Sequence, residues 1–142
     1  MMAKLGKTMR VDRSRVSGYL SVGRALHGTA RDLAELAESR YGNGMAIVAI
    51  HAAIAYTDAL TVAYGGVKST DGDHARAEEL LSEVLGPRLP VAERRRRHAI
   101  LNAKSHVSYS GAYYTLSDAR KVLEKVDAFV AWAVAVDESR PA

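Results

Sequence analysis

MAIVAIHAAIAYTDALTVAYG, from Met45 to Gly65, is the stretch whose reading decides the fold. It is about long enough to span a bilayer. Yet it carries His51 and Asp58, and an ionised aspartate at mid-helix is costly in lipid. Alanine at positions 46, 49, 52, 53, 55, 59 and 63 leaves little side-chain bulk, so neighbouring helices can approach on more than one side. A helix apolar on nearly all sides, in a chain of otherwise ordinary polarity, reads as the centre of a bundle rather than a membrane span.

Outward from that centre, helical spacing continues in both directions. Upstream, Val16, Tyr19, Leu20, Gly23, Leu26, Ala30, Leu33 and Ala37 recur at steps of three and four, which predicts a helix over 14–40 capped by Asp12 or Ser14. Tyr41-Gly42-Asn43-Gly44 supplies residues that tolerate a left-handed conformation and is expected to stop it. Downstream, Gly65-Gly66 closes the central helix. A short helix over 73–85 presents Ala77, Leu80, Leu81 and Val84, and Gly86-Pro87 ends it. A fourth helix runs over 91–109. A fifth, with Ser117 as its expected cap, carries Ala119, Leu123, Val126, Val130 and Ala133 on one stripe. No period-two alternation is long enough for a strand. Short connections favour antiparallel neighbours, so the expected fold is all-α: an up-and-down bundle of four long helices plus one short one. Residues 14–138 form the single domain, with a basic N-terminus over 1–13 and a tail over 139–142 expected to fray.

The 142 residues, 48% hydrophobic and 25% charged, suit one globular domain. Without cysteine there are no disulfides, thiolate metal sites or cysteine nucleophiles. A formal charge of +4 points only weakly to a polyanionic partner. The basic N-terminus lacks the apolar run of a secretory signal, so the cytoplasm is the expected location.

The chemistry-bearing residues fall into pairs seven apart. His51 and Asp58 share one face of the apolar helix; Arg97 and Lys104 share one face of the fourth, within roughly 20° of each other. A carboxylate on so apolar a helix must be paired, and the expectation is that Asp58 meets Lys104 or Tyr109 across the bundle. Arg94-Arg95-Arg96-Arg97 point in four directions, so they form no flat cationic patch; the alternatives are a solvated helix start or contact with phosphate. Asp71-Gly72-Asp73-His74 is a poor metal site, His74 reads as a capping residue or a ligand, and no Glu-x-x-His or phosphate-binding glycine loop occurs. Neither metal nor cofactor is expected.

Two stretches carry a resemblance. AIVAIHAAIAYTDALTVAYGGVKSTDGDHARAEELL (Ala46–Leu81) and ILNAKSHVSYSGAYYTLSDARKVLEKVDAFVAWA (Ile100–Ala133) are similar to the second and third, and the fourth and fifth, helices of HEPN domains (higher eukaryote and prokaryote nucleotide-binding). The resemblance implies a bundle, usually dimeric, that binds nucleotides or RNA. Some members are ribonuclease toxins of toxin–antitoxin pairs, and some pair with a nucleotidyltransferase-like protein. Ribonuclease members carry Arg, four to six residues, then His on the fourth helix; none of the five histidines here has an arginine at that spacing. Lys104 stands where such a His would sit, and a lysine of ordinary pKa is a poor base at neutral pH.

The expected function is therefore nucleotide or RNA binding without clear catalysis, through Lys104, Arg97, His74 and Tyr109, with Asp58 and His51 as polar support. The alternatives are a divergent metal-independent ribonuclease, needing His74 or His98 beside Lys104, and an adaptor homodimer with a protein partner. Tyr113, Tyr114 and Trp132 are the expected dimer anchors.

Overall fold

The computed structural model describes residues 7–70 and 74–141. Five helices account for most of them: α1 (Val16–Leu36), α2 (Gly42–Gly65), α3 (His74–Leu85), α4 (Val91–Tyr109) and α5 (Leu116–Glu138). Two three-residue strands, β1 (Thr8–Arg10) and β2 (Val67–Ser69), pair antiparallel with Met9 opposite Lys68. Strands this short show no alternation in sequence, which is why none was expected. From Thr8 onward the N-terminal segment is therefore tied down rather than frayed, and Val11 N–H donates to Gly66 O at 2.9 Å.

Specific contacts fix the helix directions. Arg13, just before α1, reaches Tyr64 near the end of α2, while Gly23 lies against Tyr56; these two helices are antiparallel. Thr57 meets Arg97 and Asn43 meets Val107, so α2 and α4 are also antiparallel. Gly42 lies against Tyr114, and the Tyr64 hydroxyl donates to Val136 O, so α2 and α5 run parallel. The long helices α1, α2, α4 and α5 thus go up, down, up and down, with α3 inserted between the second and third.

α2 is the hub. Met45, Ala46, Ala49, Ile50, Ala52, Ala53, Ala59 and Leu60 are fully enclosed, and they pack with Leu81, Leu85, Ile100, Val126 and Phe129 into one core. The helix is long and apolar enough to cross a membrane, but 72% of its most apolar window is buried within the bundle, which places it as a core helix.

The helix ends follow local chemistry. Asp12 accepts from Ser14 N–H at 2.8 Å and caps the helical turn that leads into α1. Gly66 closes α2 in the left-handed conformation (φ 63°). Thr115, not Ser117, caps α5, in a reciprocal capping box with Asp118. The break before α2 also moves. Ala37 takes the left-handed turn (φ 54°), and Gly42, Asn43 and Gly44 belong to α2 itself. Gly42 is needed there for proximity: a Cβ on it would lie 2.0 Å from Tyr114 O. Asn43 stitches the α4–α5 connection, donating to Val107 O and Ala112 O and accepting from Tyr114 N–H.

Candidate functional site

The two heptad pairs do meet, in a polar seam between α2 and α4, but in the opposite register from the one expected. Because the helices are antiparallel, Arg97 lies opposite Thr57 and Asp58, while Lys104 comes near His51. Lys104 is two turns along α4 from Arg97, roughly 10 Å of rise. Asp58 therefore pairs with Lys68, on β2, at 3.5 Å rather than with Lys104 or Tyr109. Burial holds the Asp58 carboxyl above the usual aspartate range, opposed by Lys68 and then Arg97.

Arg97 is 1% exposed, too enclosed to meet an incoming phosphate. Its Nε donates to Thr57 Oγ1 at 2.9 Å and its Nη1 to His74 O at 3.4 Å, while Nη2 is buried with no hydrogen-bond partner among the described residues. Burial lowers its pKa to about 10, with Glu78 and Asp58 pulling the other way, so it stays charged at neutral pH. His74 accordingly contributes its backbone carbonyl, at the start of α3, to this network. Asp71 and Asp73 lie outside the described residues. Among the described residues no cluster of His, Asp and Glu is arranged to hold a metal.

The rest of the arginine run disperses as its helical spacing requires. Arg96 pairs with Glu93, Arg94 approaches Glu78 at 3.9 Å, and Arg95 is exposed. His98 bonds Glu78 at 2.9 Å. The contacts described for His74 and His98 are with Arg97 and Glu78, not with Lys104. The Lys104 ammonium sits 5.4 Å from the centre of the Tyr109 ring, which is 77% exposed. Lys104 also lies within electrostatic reach of His51, whose pKa is held below its usual value by partial burial and then by the Lys104 charge.

Two concavities were not foreseen. A groove of about 350 Å³ runs between α4 and α5, floored by Ala99, Ala103 and Ala112. His106, Tyr113 and Tyr114 wall it, with Lys121 and Lys125 on its rim. The His106 and Tyr114 rings stand 5.8 Å apart, and Tyr113 is oriented by its hydroxyl donating to Ser39 O at 3.0 Å. Neither rim lysine has an ion pair among the described residues. The one carboxylate lining the groove, Asp118, is engaged by Thr115 N–H in the capping box. At the far end of the bundle a cleft of about 770 Å³ is lined by Arg13, Tyr64, Arg88, Asp137 and Arg140. The i, i+4 spacing of Lys121 and Lys125 was the available signal for the first. No sequence signal connects residues 13, 88 and 140.

No protein-family model matches this chain, and neither a curated protein nor a solved structure does.

Of the expected dimer anchors, Tyr113 is 66% exposed. Tyr114 is half-buried against the core, and Trp132 packs on it too, with its ring 5.5 Å from Phe129.

Proposed function

We propose that this chain is an HEPN-like helical module that binds single-stranded RNA or a nucleotide without catalysing its cleavage, with the ligand lying along the α4–α5 groove. The observation that carries this reading is the pairing of un-neutralised Lys121 and Lys125 with three aromatic rings in one groove. Cations that track phosphates beside rings that stack on bases are the two components of sequence-tolerant single-strand binding. Lys104 and Tyr109, near the end of the same helix, extend the basic and aromatic surface. Arg97 drops out of the ligand set and becomes the internal brace of the seam.

The resemblance to HEPN domains supports the same ligand class, and it alone suggests a toxin–antitoxin setting or a nucleotidyltransferase-like partner; a homodimer is suggested by the resemblance together with the aromatic anchors. Tyr109 and Tyr113 are the exposed rings such a partner would meet.

The test is fluorescence anisotropy with a short labelled single-stranded RNA across a salt series. Lys121→Ala with Lys125→Ala should weaken binding at low salt and reduce the salt-dependence slope by about 1.4, since each phosphate contact on a single strand contributes about 0.7. Unchanged affinity and slope would remove RNA from the groove.

A second reading has one observation in its favour. At neutral pH, partial burial and the Lys104 charge keep His51 neutral within electrostatic reach of an ammonium group. A neutral imidazole and a protonated amine are the base and acid a metal-independent ribonuclease requires. RNA cleavage by the purified protein, abolished in His51→Ala, would establish it.

A further inference from the structure

The cleft at the far end of the bundle is built from three distant parts of the chain. Arg13 comes from the turn before α1, Arg88 from the α3–α4 connection, and Arg140 from the segment after α5. Tyr64 sits among them. Its hydroxyl donates to Val136 O at 2.8 Å, which locks the ring between the ends of α2 and α5. The Arg88 guanidinium lies 5.2 Å from the ring centre, and Arg13 Nη2 donates to Tyr64 O at 3.4 Å.

The charges around this cleft do not cancel. Its one lining carboxylate, Asp137, is matched by Arg140 at 3.2 Å. Arg13 and Arg88 have no ion pair among the described residues, which leaves two uncompensated guanidinium groups facing the space. The carbonyl ends of α2 and α5 account for part of that charge by the helix dipole, a contribution of fractional charge at each end. They do not account for two full cations around an open volume of about 770 Å³.

We infer that this cleft is a second binding site, separate from the α4–α5 groove, for a compact diphosphate-bearing anion. Arginine forks suit phosphate oxygens because two parallel N–H groups meet two oxygens. A diphosphate presents enough oxygens for Arg13 and Arg88 together. Arg140 is the third donor, exchanging Asp137 for the ligand. Such a ligand would draw the segments before α1 and after α5 onto one anion and so stabilise the fold by mass action.

The experiment is isothermal titration of the whole protein with inorganic pyrophosphate, with ADP and adenosine as separate arms. Saturable pyrophosphate binding is expected, with adenosine silent. Arg88→Ala should weaken it roughly ten-fold or more, because a charge-assisted contact is lost. Arg88 is exposed and, among the described residues, holds only a ring contact, so this variant keeps the fold. Arg95→Ala, an exposed arginine outside the cleft, should bind as the parent does. ADP binding tighter than pyrophosphate also supports the site and identifies the diphosphate as a nucleotide's. No saturable binding of either, or equal weakening by Arg88→Ala and Arg95→Ala, overturns the inference. Lys121→Ala with Lys125→Ala should leave pyrophosphate binding unchanged, so the cleft and the RNA groove fail or succeed separately.

Discussion

Arg97 and Thr57 are joined across the α2–α4 seam by a 2.9 Å hydrogen bond from guanidinium Nε to hydroxyl Oγ1. Thr57 passes the connection on by donating to Ala53 O, one turn back in α2. The bond sets the register of the two antiparallel helices. With it in place, Asp58 faces Arg97 and Lys68, and His51 faces Lys104. The buried cation also holds α3, through His74 O, over the seam.

Truncating Arg97 should therefore cost more than its hydrogen bonds alone. Arg97→Ala leaves a cavity beneath α3 and an acceptor without its donor, a loss of about 3 kcal/mol in urea unfolding. Arg97→Met, which fills the volume without burying a charge, should be close to neutral, because hydrophobic replacements of buried ions often are. Methionine proving as damaging as alanine would mean that charge, not bulk, holds the seam. RNA affinity of the methionine variant should match the parent.

The electrostatic coupling of His51 to Lys104 is open to direct titration. Removing the ammonium in Lys104→Gln should raise the His51 pKa observed by NMR. It should stay below about 6.5, the free value, because burial is the larger cause. The sign for stability follows from a depressed folded-state pKa: His51 contributes stability above about 6.5 that is lost as pH falls through the folded value. His51→Gln should flatten that acid-side decline. An unmoved His51 titration in Lys104→Gln would rule the coupling out.

Asp58 carries the opposite sign. Its folded-state pKa lies above the unfolded value of about 3.9, so its contribution is fully present below that pH and is lost as pH rises through the folded pKa. Thermal unfolding of the parent and of Asp58→Asn, compared from acid to neutral pH, should show the parent losing stability relative to the variant as pH rises. A difference running the other way would show that Lys68 outweighs burial.

The hub and the two polar faces were legible because they are local. Alanine density marks a helix that others can approach, and a spacing of seven places His51 with Asp58 and Arg97 with Lys104. Which member of one pair faces which member of the other is not local. It depends on α3, which carries the chain across so that α4 runs antiparallel to α2. The strands were too short to show a period. The arginine cleft was invisible because residues 13, 88 and 140 share no element. The Gly42-Asn43-Gly44 stretch misled for a different reason: its composition suits a turn, and tertiary packing used the same residues for close approach and for stitching a loop.

That use makes the sharpest stability prediction. A Cβ on Gly42 would sit 2.0 Å from Tyr114 O and 3.0 Å from Thr115 O, and both are backbone atoms that no rotamer change can move aside. Gly42→Ala must push the α4–α5 connection off α2, loosening the three hydrogen bonds of Asn43 and the capping turn at Thr115. We expect a loss of about 3 kcal/mol, the upper range for overpacking. Gly44, two residues on in the same helix, has open space around its Cα. Gly44→Ala should gain roughly 0.5–1 kcal/mol by restricting the unfolded chain. Chemical denaturation of the two variants side by side separates packing from propensity. If both alanines stabilise, α2 and the α4–α5 connection are not in contact at Gly42, and the groove walled by Tyr113 and Tyr114 loses the contact that positions it.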